Sequence, residues 1–430
     1  MSLVTPRKGY KSVPWLFGKE IEIPQEWEVK RLDEIGEIIG GGTPDSTNKD
    51  YWNGNILWAV PTDITKLQVN QIEDTERKIT KLGLENSSAK LLPNKTILIT
   101  SRATIGECAI TTKPITTNQG FQNIICYNNY HNYLIFYLIK QFPNNLLRLS
   151  QGTTFLEINK NQMKKIIIPI SNNIKEQQKI ATILSNVDNL IESTGKVITH
   201  SKKVKTGLMQ KLLTRGIGHT KFKKVPWLFG KEIEIPEEWE IVIIKKLVTF
   251  HKQGLYTTQP YSKNGIKIAR VNDLENPNLS YDKMNNLELD PKTFDSFKIS
   301  KGDFLIARTG NIGNYGIVTE DIECVHISDI IRFNFNLNEL LNEYFGLFFE
   351  SHLLLVQLLM IQQSSSHIHI NAETMKSLKI PLPPLSEQQK ISSILSNIDS
   401  KITSQEQYKE KLEKLKKSLM QKLLTGEVRV

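Results

Sequence analysis

The sequence predicts an α+β protein in which one plan is used twice: a β-rich globular domain followed by a long helix. The segment VPWLFGKEIEIPQEWE from Val13 returns from Val225 with a single change. A second segment, which opens with EQQK and closes with LMQKLLT, starts at Glu176 and again at Glu387. Because the repeat spans about half the chain, it indicates a duplicated domain and not a solenoid of short repeats.

Between these repeated segments, the first half carries short β-type runs and one helical stretch, separated by loops rich in Gly, Asn, Thr and Pro. The runs begin at Asn55 (NILWAV), Thr96 (TILIT) and Ile166 (IIIPI), and the helix is expected near 133–149. The second half follows the same order, with runs from Ile266, Asp303 and Ser377 and a helix near 344–360. The halves share an architecture but few side chains, which is typical of two related binding tasks with different ligands.

In the first copy, apolar or small residues recur at steps of four and three that alternate apart from one slip, and the matching positions of the second copy are interrupted by two polar residues. Each EQQK segment is therefore predicted to be a helix with a coiled-coil seam. The seam positions are Ile180, Leu184, Val187, Ile191, Thr194, Ile198, Ser201, Val204 and Leu208 in the first copy, and Ile391, Leu395, Ile398, Ile402, Gln405, Lys409, Leu412, Leu415 and Leu419 in the second. A helix of about 38 residues is roughly 57 Å long, so its apolar stripe needs a partner. We expect the two helices to pair with each other.

Capping signals mark the ends of both helices. Asn173 and Ser386 each precede Glu or Gln by three residues, which is the spacing of a capping box at a helix start. Gly216 and Gly426 follow the last apolar residue, where a left-handed glycine can end a helix. The expected helices therefore run from Asn173 to about Thr214 and from Ser386 to Thr425.

Composition narrows the class of protein. The 430 residues are 39% hydrophobic and 23% charged, with a formal net charge of +10, so the chain is globular and its basic balance favours a polyanionic partner without deciding it. No run of about eighteen apolar residues occurs, so we expect a soluble, cytoplasmic protein without membrane contact. Cys108, Cys126 and Cys324 lack metal or redox spacing and are expected to be buried thiols.

The sequence lacks the motifs of common nucleotide chemistry. No P-loop, no Gly-x-Gly-x-x-Gly and no Asn-Pro-Pro-Tyr or Asp-Pro-Pro-Tyr is present. A nuclease site around Asp45, Glu28 and Lys30 is not repeated in the second half, and the pair His367 and His369 has no third metal ligand at a plausible spacing. We expect no catalytic residue, no metal and no cofactor. Two alternatives stay open: a DNA methyltransferase or nuclease with an unrecognised site, and a coiled-coil adaptor that never touches nucleic acid.

Taken together, the tandem halves, the EQQK helices, GGGTPDSTNKDYWNG from Gly40 and IPLPPLSEQQKISSIL from Ile380 resemble the DNA specificity subunit of Type I restriction-modification enzymes. The resemblance covers nearly the whole chain, although the first copy, IIIPISNNIKEQQ, lacks the proline pair. It implies two target recognition domains, over 1–170 and 221–380. It also implies two long helices, over 171–220 and 381–430, that form an antiparallel coiled coil with pseudo-two-fold symmetry.

The resemblance also implies a function. Each domain would read one half of an asymmetric, interrupted site in double-stranded DNA, and the helices would set the spacer between the halves. The chain would be non-catalytic and would join two methylation subunits and the motor-nuclease restriction subunits. The lysine-rich helix faces could follow phosphates, but a solvated face or a docking surface for the methylation subunits is the simpler interpretation.

Base edges are read by polar side chains on loops, and loops that correspond between the halves are the best candidates. SRATIG, with Arg102, parallels ARTGNIG, with Arg308, and QGTTFLEIN parallels QSSSHIHIN. Any of these residues could instead serve the backbone geometry of its turn. The candidates for DNA contact are Thr43, Asn48, Lys49, Arg102, Thr104, Asn118, Gln119, Gln151, Thr153, Thr154, Arg308, Asn311, Ser364, Ser365, Ser366 and His367.

Overall fold

The computed structural model describes residues 6–15, 18–67, 69–142, 146–147, 149–150, 156–228, 230–308, 313–361 and 371–430. It divides into two compact units. Unit 1 comprises Met1–Val197 and Gln405–Val430, and unit 2 comprises Ile198–Ser404. Each unit therefore combines one β-rich domain with the beginning of one long helix and the end of the other.

The globular part of unit 1 mixes short strands with short helices, as the loop-rich sequence predicts. Its strands are Tyr10–Pro14, Glu20–Pro24, Trp27–Arg31, Gly36–Gly40, Trp52–Ala59, Gln71–Ile72, Arg77–Ile79, Ile97–Ile99, Cys108–Thr111, Ile115–Thr117, Gln122–Cys126 and Ile167–Ser171. Its helices are Leu32–Ile35, Pro61–Thr65, Lys81–Glu85, Asn132–Gln141 and Lys160–Lys164, with a 3-10 turn at Lys49–Tyr51.

A five-stranded sheet forms the centre of unit 1, in the order Gly36–Gly40, Gln122–Cys126, Ile97–Ile99, Cys108–Thr111, Gln71–Ile72. Successive side chains of a strand point to opposite faces. Ile97 and Ile99 accordingly pack in the core that contains the helix Asn132–Gln141, while Leu98 packs in the core that contains Leu57 from the neighbouring three-stranded sheet. A strand buried on both faces explains why TILIT reads as continuous apolar sequence.

Unit 2 repeats this plan with different side chains. Its strands are Phe222–Pro226, Glu232–Pro236, Glu240–Ile243, Val248–Gln253, Ile266–Ala269, Leu274–Glu275, Asn278–Leu279, Asn285–Leu287, Phe304–Ala307, Tyr315–Ile317, Cys324–His326, Ile330–Phe335 and Lys379–Leu382. Its helices are Pro291–Phe297, Asn342–Glu350, His352–Ile361 and Ala372–Ser377, with 3-10 turns at Ile244–Lys246, Val271–Asp273 and Tyr281–Lys283.

The central sheet of unit 2 has the order Val248–Gln253, Ile330–Phe335, Phe304–Ala307, Tyr315–Ile317. Phe304 and Ile306 pack in the same core as the helix Asn342–Glu350, and Leu305 and Ala307 pack in the core on the other face. The alternation matches that of Ile97–Ile99 in unit 1, so the two β-rich domains are built alike. The predicted α+β fold, used twice, is confirmed.

The two long helices span Ile174–Arg215 and Leu385–Leu424. In unit 1, Ile180 and Leu184 near the start of the first helix share a core with Leu423 and Leu424 at the end of the second. In unit 2, the roles are exchanged, because residues at the end of the first helix, such as Leu213, pack with residues at the start of the second, such as Ile391. The helices therefore pair antiparallel, as in the expected coiled coil.

Most of the predicted seam is buried or half-buried, but Val204 and Leu415 are 40% and 48% exposed. Placing these two on the seam was wrong. The period of alternating threes and fours runs instead through the next residue in each helix, Lys205 and Lys416, both of which are partly buried. Helical phase decides which side chain faces the partner helix, even where that side chain is the less apolar of two neighbours.

The predicted helix ends are partly right. Gly216 and Gly426 have φ of +62° and +71° and occupy the expected left-handed positions. Asn173 accepts the Lys175 N–H at 3.0 Å and acts as a cap. The capping prediction for Ser386 is wrong, because the second helix begins at Leu385 and the Pro384 carbonyl, which precedes it, accepts the first helical hydrogen bonds.

Two of the three cysteines are buried, as the sequence predicts. Cys108 and Cys324 are buried, and burial raises the pKa of each thiol to about 12; Cys126 is half-buried. Among the described residues, no helix is both long enough and apolar enough to cross a membrane.

Candidate nucleic-acid interface

Four loops of unit 1 meet at one edge of its sheets, held by backbone hydrogen bonds. The Gly42 N–H donates to the Thr117 carbonyl at 2.8 Å, the Ser101 N–H to the Gly120 carbonyl at 2.7 Å, and the Ile158 N–H to the Ser101 carbonyl at 3.0 Å. We call this set, residues 41–49, 101–107, 118–120 and 156–158, loop cluster 1. The chain is brought to this edge by the strands that end at Gly40, Ile99 and Thr117.

Every candidate of the first half that the structure describes lies in loop cluster 1. The Thr43 hydroxyl donates to the Gln119 amide oxygen, and both residues are exposed. Arg102 is exposed and its Nε lies 2.9 Å from Glu157 Oε1, so its charge is partly neutralised. Thr104 is exposed, and its carbonyl accepts the Thr100 hydroxyl. Among these candidates, the structure brings Thr43 and Gln119 into direct contact.

Two of these candidates have clear backbone roles. Asn48 accepts the Asp50 N–H at 3.0 Å and caps the turn Lys49–Tyr51. Asn118 accepts the Gly120 N–H at 2.9 Å across a tight turn. Both bonds are of the Asx type that selects Asn for backbone reasons. Lys49, by contrast, is exposed.

The glycine run at 40–42 serves a close approach of backbones. A Cβ on Gly41 would lie 1.9 Å from the Asn118 carbonyl oxygen, and one on Gly42 would lie 2.3 Å from Ser88 Oγ. A side chain at Gly41 would push the first loop away from the loop that carries Gln119, and one at Gly42 would push it away from Ser88. The run therefore permits the contact between Thr43 and Gln119.

Unit 2 builds a matching edge. The Leu255 N–H donates to the His326 carbonyl at 2.7 Å, and the Arg308 N–H donates to the Asp329 carbonyl at 2.9 Å. A Cβ on Gly254 would lie 2.1 Å from the Ile327 carbonyl oxygen, which is the same close approach that Gly41 makes. We call residues 254–264, 308 and 327–329 loop cluster 2.

Strand register places Arg308 opposite a different residue from the one that the sequence suggests. Thr100 bridges Phe121 in unit 1, and Ala307 pairs with Ile330 in unit 2. Arg308 follows Ala307 and therefore corresponds to Ser101. The parallel between Arg102 and Arg308 was wrong by one residue, which in extended chain reverses the face of the side chain. Accordingly, Arg102 is exposed and Arg308 is half-buried.

The remaining candidates lie outside the described residues. Two exposed aromatic residues were not among the candidates that the sequence predicted. Tyr256 is 79% exposed and Tyr261 50% exposed, both in loop cluster 2, and the Arg270 guanidinium lies 5.7 Å from the Tyr261 ring centre. The signal was available, since GLYTTQPYSKNG places two aromatics among turn residues. The candidates outside the described residues are Gln151, Thr153, Thr154, Asn311, Ser364, Ser365, Ser366 and His367.

A family model of the Type I restriction modification DNA specificity domain matches the chain twice, over residues 24–200 and 236–414. The chain belongs to this family. It is similar to the Type I restriction enzyme MjaIX specificity subunit of Methanocaldococcus jannaschii, with 31% identity over 95% of both chains. It is also similar to the EcoR124I/EcoR124II specificity subunit of Escherichia coli, with 34% identity over 41% of this chain and 43% of that one.

The fold agrees with this membership. The crystal structure of a Type I restriction-modification S subunit from M. genitalium superposes with a TM-score of 0.58 at 14% identity, over 92% of this chain and 96% of that one. Because the family model matches the chain twice, the chain is a specificity subunit with two target recognition domains.

In this specificity subunit, the EQQK motif attaches the start of each long helix to a recognition domain. The buried Glu176 accepts the Trp27 indole N–H at 3.2 Å, and Glu387 accepts the Trp239 indole N–H at 2.9 Å. The next residue acts in the same way, because Gln177 accepts the His131 N–H at 2.8 Å. Glu176, which was expected to close a capping box, and Glu387 therefore hold the tryptophans of the repeated WE pair.

The end of the opposite helix completes each of these anchors. Arg429, just beyond the second helix, donates to Glu176 Oε1 at 2.5 Å in unit 1. His219, just beyond the first helix, lies 2.9 Å from Glu387 Oε1 in unit 2. Sequence alone could not predict either contact, since each joins residues far apart in the chain.

Within the described residues, no group of three or more His, Cys, Asp or Glu side chains could hold a metal ion.

Proposed function

We propose that each unit reads one half of an asymmetric, interrupted sequence in double-stranded DNA through its loop cluster. The observation that carries the proposal is a shared backbone frame with different side chains. Gly41 and Gly254 make the same close approach, yet Gln119 corresponds to Ser328 and Ser101 to Arg308. Two frames of one shape with unlike polar groups would read two unlike half-sites.

In loop cluster 1, Thr43 with Gln119, Lys49, Arg102 and Thr104 are the proposed base-reading or phosphate-contacting groups. They are exposed and polar, and they lie on loops that backbone hydrogen bonds join. In loop cluster 2, we add Tyr256 and Tyr261 to the candidates. The net charge of +10 supports binding to a polyanion, with an affinity that falls as salt rises.

The antiparallel helices are proposed to set the spacer between the half-sites and to present surfaces for two methylation subunits. Motor-nuclease subunits would join the same complex in the cytoplasm. The chain itself would contribute recognition without catalysis, which is consistent with the motifs that its sequence lacks. Its membership of the specificity-subunit family supports these assignments.

Methylome sequencing tests the proposal directly. Cells that express this chain with its methylation partner should methylate one motif made of two unlike parts separated by unspecified bases. Cells that express the partner alone should methylate no such motif. A continuous motif, or two identical half-sites, would contradict the proposal.

Two assays on the purified chain separate the alternatives. Transfer of methyl groups to DNA by the chain alone, abolished by changing one carboxylate, would favour an enzyme. Failure to bind any duplex at low salt would favour an adaptor that does not touch nucleic acid. The proposal expects salt-dependent duplex binding and no turnover of methyl donor, ATP or DNA.

A further inference from the structure

A cavity of about 240 Å³ opens in unit 2 beside loop cluster 2. It is bordered by His251, Lys252, Gln253, Arg308, Ile331 and Asn371. Among the described residues that line it, none is Asp or Glu and five carry side-chain N–H groups. A space with donors and without a carboxylate suits an anion.

Arg308 is the lining residue whose Nε has no hydrogen-bond acceptor among the described residues. Its backbone is fixed by the N–H bond to the Asp329 carbonyl. Its guanidinium Nε is buried and has no hydrogen-bond partner within the described structure. Buried charged donors are almost always paired, and guanidinium groups bind phosphate and carboxylate oxygens best. The missing acceptor therefore points to an anionic ligand.

The neighbouring side chains are held in place by other contacts. Lys252 Nζ donates to the Ser296 carbonyl at 2.6 Å, and Gln253 Nε2 donates to the Ser328 carbonyl at 3.1 Å. The His251 ring stacks on Phe333, with 5.8 Å between ring centres. Asn371 caps a short helix through the Thr374 N–H. The walls are thus fixed around Arg308, as a binding site requires.

The corresponding place in unit 1 has a different character. Strand register puts Ser101 at the position of Arg308, Gln122 at that of Ile331 and Gly40 at that of Gln253. Ser101 Oγ and Gln122 Oε1 are buried and also lack hydrogen-bond partners among the described residues. Both units therefore leave polar atoms unsatisfied at this location, but within the part of the chain that the structure describes, a cation stands there in unit 2 and not in unit 1.

We propose that the Arg308 cavity binds one backbone phosphate of the duplex that unit 2 reads, and that Arg308 Nε is the principal donor. The proposal rests on the proposed function, because it presumes that unit 2 meets DNA. Arg308 would then position the duplex and would not read a base. A base reader needs its terminal nitrogens free in a groove, whereas this guanidinium is half-buried against the sheet, beside the exposed loops.

The first test is the salt dependence of duplex binding by the full-length chain. Arg308→Gln should lower the slope of log K against log salt by about one, and should weaken binding equally for every base sequence. Lys301→Gln is the matched control, because Lys301 is exposed and precedes the strand Phe304–Ala307 that Arg308 follows. The control should keep the wild-type slope. A relaxed base preference at one position, or an unchanged slope, would overturn the proposal.

The second test locates the phosphate. Duplexes in which single phosphates are replaced by neutral methylphosphonate should include one position that weakens wild-type binding and leaves Arg308→Gln binding unchanged. If Arg308→Gln does not fold, Arg308→Lys serves instead, and it should keep the salt slope while losing affinity several-fold, since an ammonium cannot reproduce the guanidinium geometry. Equal sensitivity of wild type and variant at every phosphate would refute the proposal.

Inorganic phosphate separates this proposal from the proposed function. If the chain binds no duplex at all, the proposed function fails, yet a true anion cavity would still raise the melting temperature of the wild type in phosphate and not that of Arg308→Gln. If phosphate stabilises the wild type while Arg308→Gln keeps the wild-type salt slope on DNA, the cavity binds free anions only. That result would overturn the assignment to the DNA backbone.

Discussion

Lys416 donates to Asp188 at 2.5 Å on the seam between the two long helices of unit 1. The same pair occurs in unit 2, where Lys205 lies 2.8 Å from Asp399. Each lysine stands at the same distance along the chain from the glutamate of its EQQK motif, and so does each aspartate. Each helix therefore supplies one lysine and one aspartate, and the antiparallel pairing brings both pairs together.

Both ion pairs also contact a recognition domain. Asp188 accepts the hydroxyl of Tyr137 and the amide of Asn70, each at 2.5 Å. Lys205 lies 3.0 Å from Glu350, which accepts the Tyr315 hydroxyl at 3.1 Å. Burial lowers the pKa of Lys205, but the hydrogen bonds and charges of Asp399 and Glu350 outweigh it, so the net pKa is raised and the lysine stays charged. A polar pair on an apolar seam restricts the register in which two helices can pack.

The seam predicts that substitutions at two neighbouring residues change the stability of the chain by very different amounts. Lys416→Met should destabilise the chain by about 2 kcal/mol, because it leaves Asp188 partly buried without its cation. Leu415→Ala should change stability by less than about 0.5 kcal/mol, because its side chain is 48% exposed. Urea denaturation of both variants measures the difference. If Leu415→Ala proved the more damaging change, the helical phase described for unit 1 would be incorrect.

Reversing the pair is expected to restore it in part. Asp188→Lys alone should be strongly destabilising, since two cations would then face each other beside Tyr137. Adding Lys416→Asp should recover part of the loss, and a double-mutant cycle would give a favourable coupling energy between the two positions. Strictly additive effects would show that the 2.5 Å contact contributes nothing to stability.

The Glu176 anchor should give a defined pH dependence. Burial alone raises the pKa of Glu176, but hydrogen bonds from Arg429, Ser171 and Trp27 outweigh burial, so the pKa is lowered in the folded state. A lowered pKa stabilises the fold above the unfolded value of about 4.3 and loses that contribution as pH falls. Glu176→Gln should therefore be less stable than wild type at pH 7, and the gap should close below about pH 4.

Glu26→Gln is the matched control for this experiment. Glu26 also meets Arg429, at 2.8 Å, but its side chain is 69% exposed. Its loss should have little effect on stability at any pH, because an exposed pair is screened by solvent. An equal effect of the two variants would mean that the buried hydrogen bonds of Glu176 are unimportant.

The role of the helices as spacer can be tested by insertion. Seven residues added after Val197 and seven added after Ser404 keep the seam period and fall where the two units divide. The insertion adds roughly 10 Å of helix at 1.5 Å per residue, which equals about three base pairs at about 3.4 Å each. Methylome sequencing should show a spacer longer by about three base pairs with both half-sites unchanged. Methylation restricted to the original spacing would exclude the helices as the ruler.

Exchange of one recognition domain should change one half-site. Replacing residues 27–170 by the matching segment of a relative transfers loop cluster 1 and leaves loop cluster 2 intact. The methylated motif should change in one part and keep the other part and the spacer. The replacement segment should keep a tryptophan at position 27, so that the hydrogen bond to Glu176 is retained. Simultaneous change of both parts would show that the domains do not read independently.

The structural features that the sequence predicted correctly are those that depend on an internal repeat or on a regular spacing of residues. Two copies of one plan, the long helices and the glycine ends at Gly216 and Gly426 follow from local patterns, since each depends on residues close together in the chain. The capping prediction failed at Glu176 because its carboxylate bonds Trp27, which lies on a strand far away in the sequence, and not the backbone at the start of its own helix. The seam prediction failed at Leu415 because this residue, although apolar, lies one position away from the place where the helical period puts the seam.

The sequence indicated which residues belong to the candidate site better than it indicated how the strands that carry them pair. Thr43 and Gln119 were named from loops far apart in sequence, and the fold joins them. The relation of Arg308 to Ser101 depended on which residue of one strand pairs with which residue of the next, and a shift of one residue is invisible in the side-chain types. The cavity at Arg308 is lined by four separate segments, so no single stretch of sequence could indicate it.

Unit 2 is one continuous stretch of chain that interrupts unit 1. A ribosome therefore makes all of residues 198–404 before it makes the second part of unit 1. Until Leu423 and Leu424 emerge, Ile180 and Leu184 lack the side chains that cover them in the finished core. Domains generally fold as units during synthesis, so the second recognition domain should be complete before the first, in the reverse of the order in which the two are translated.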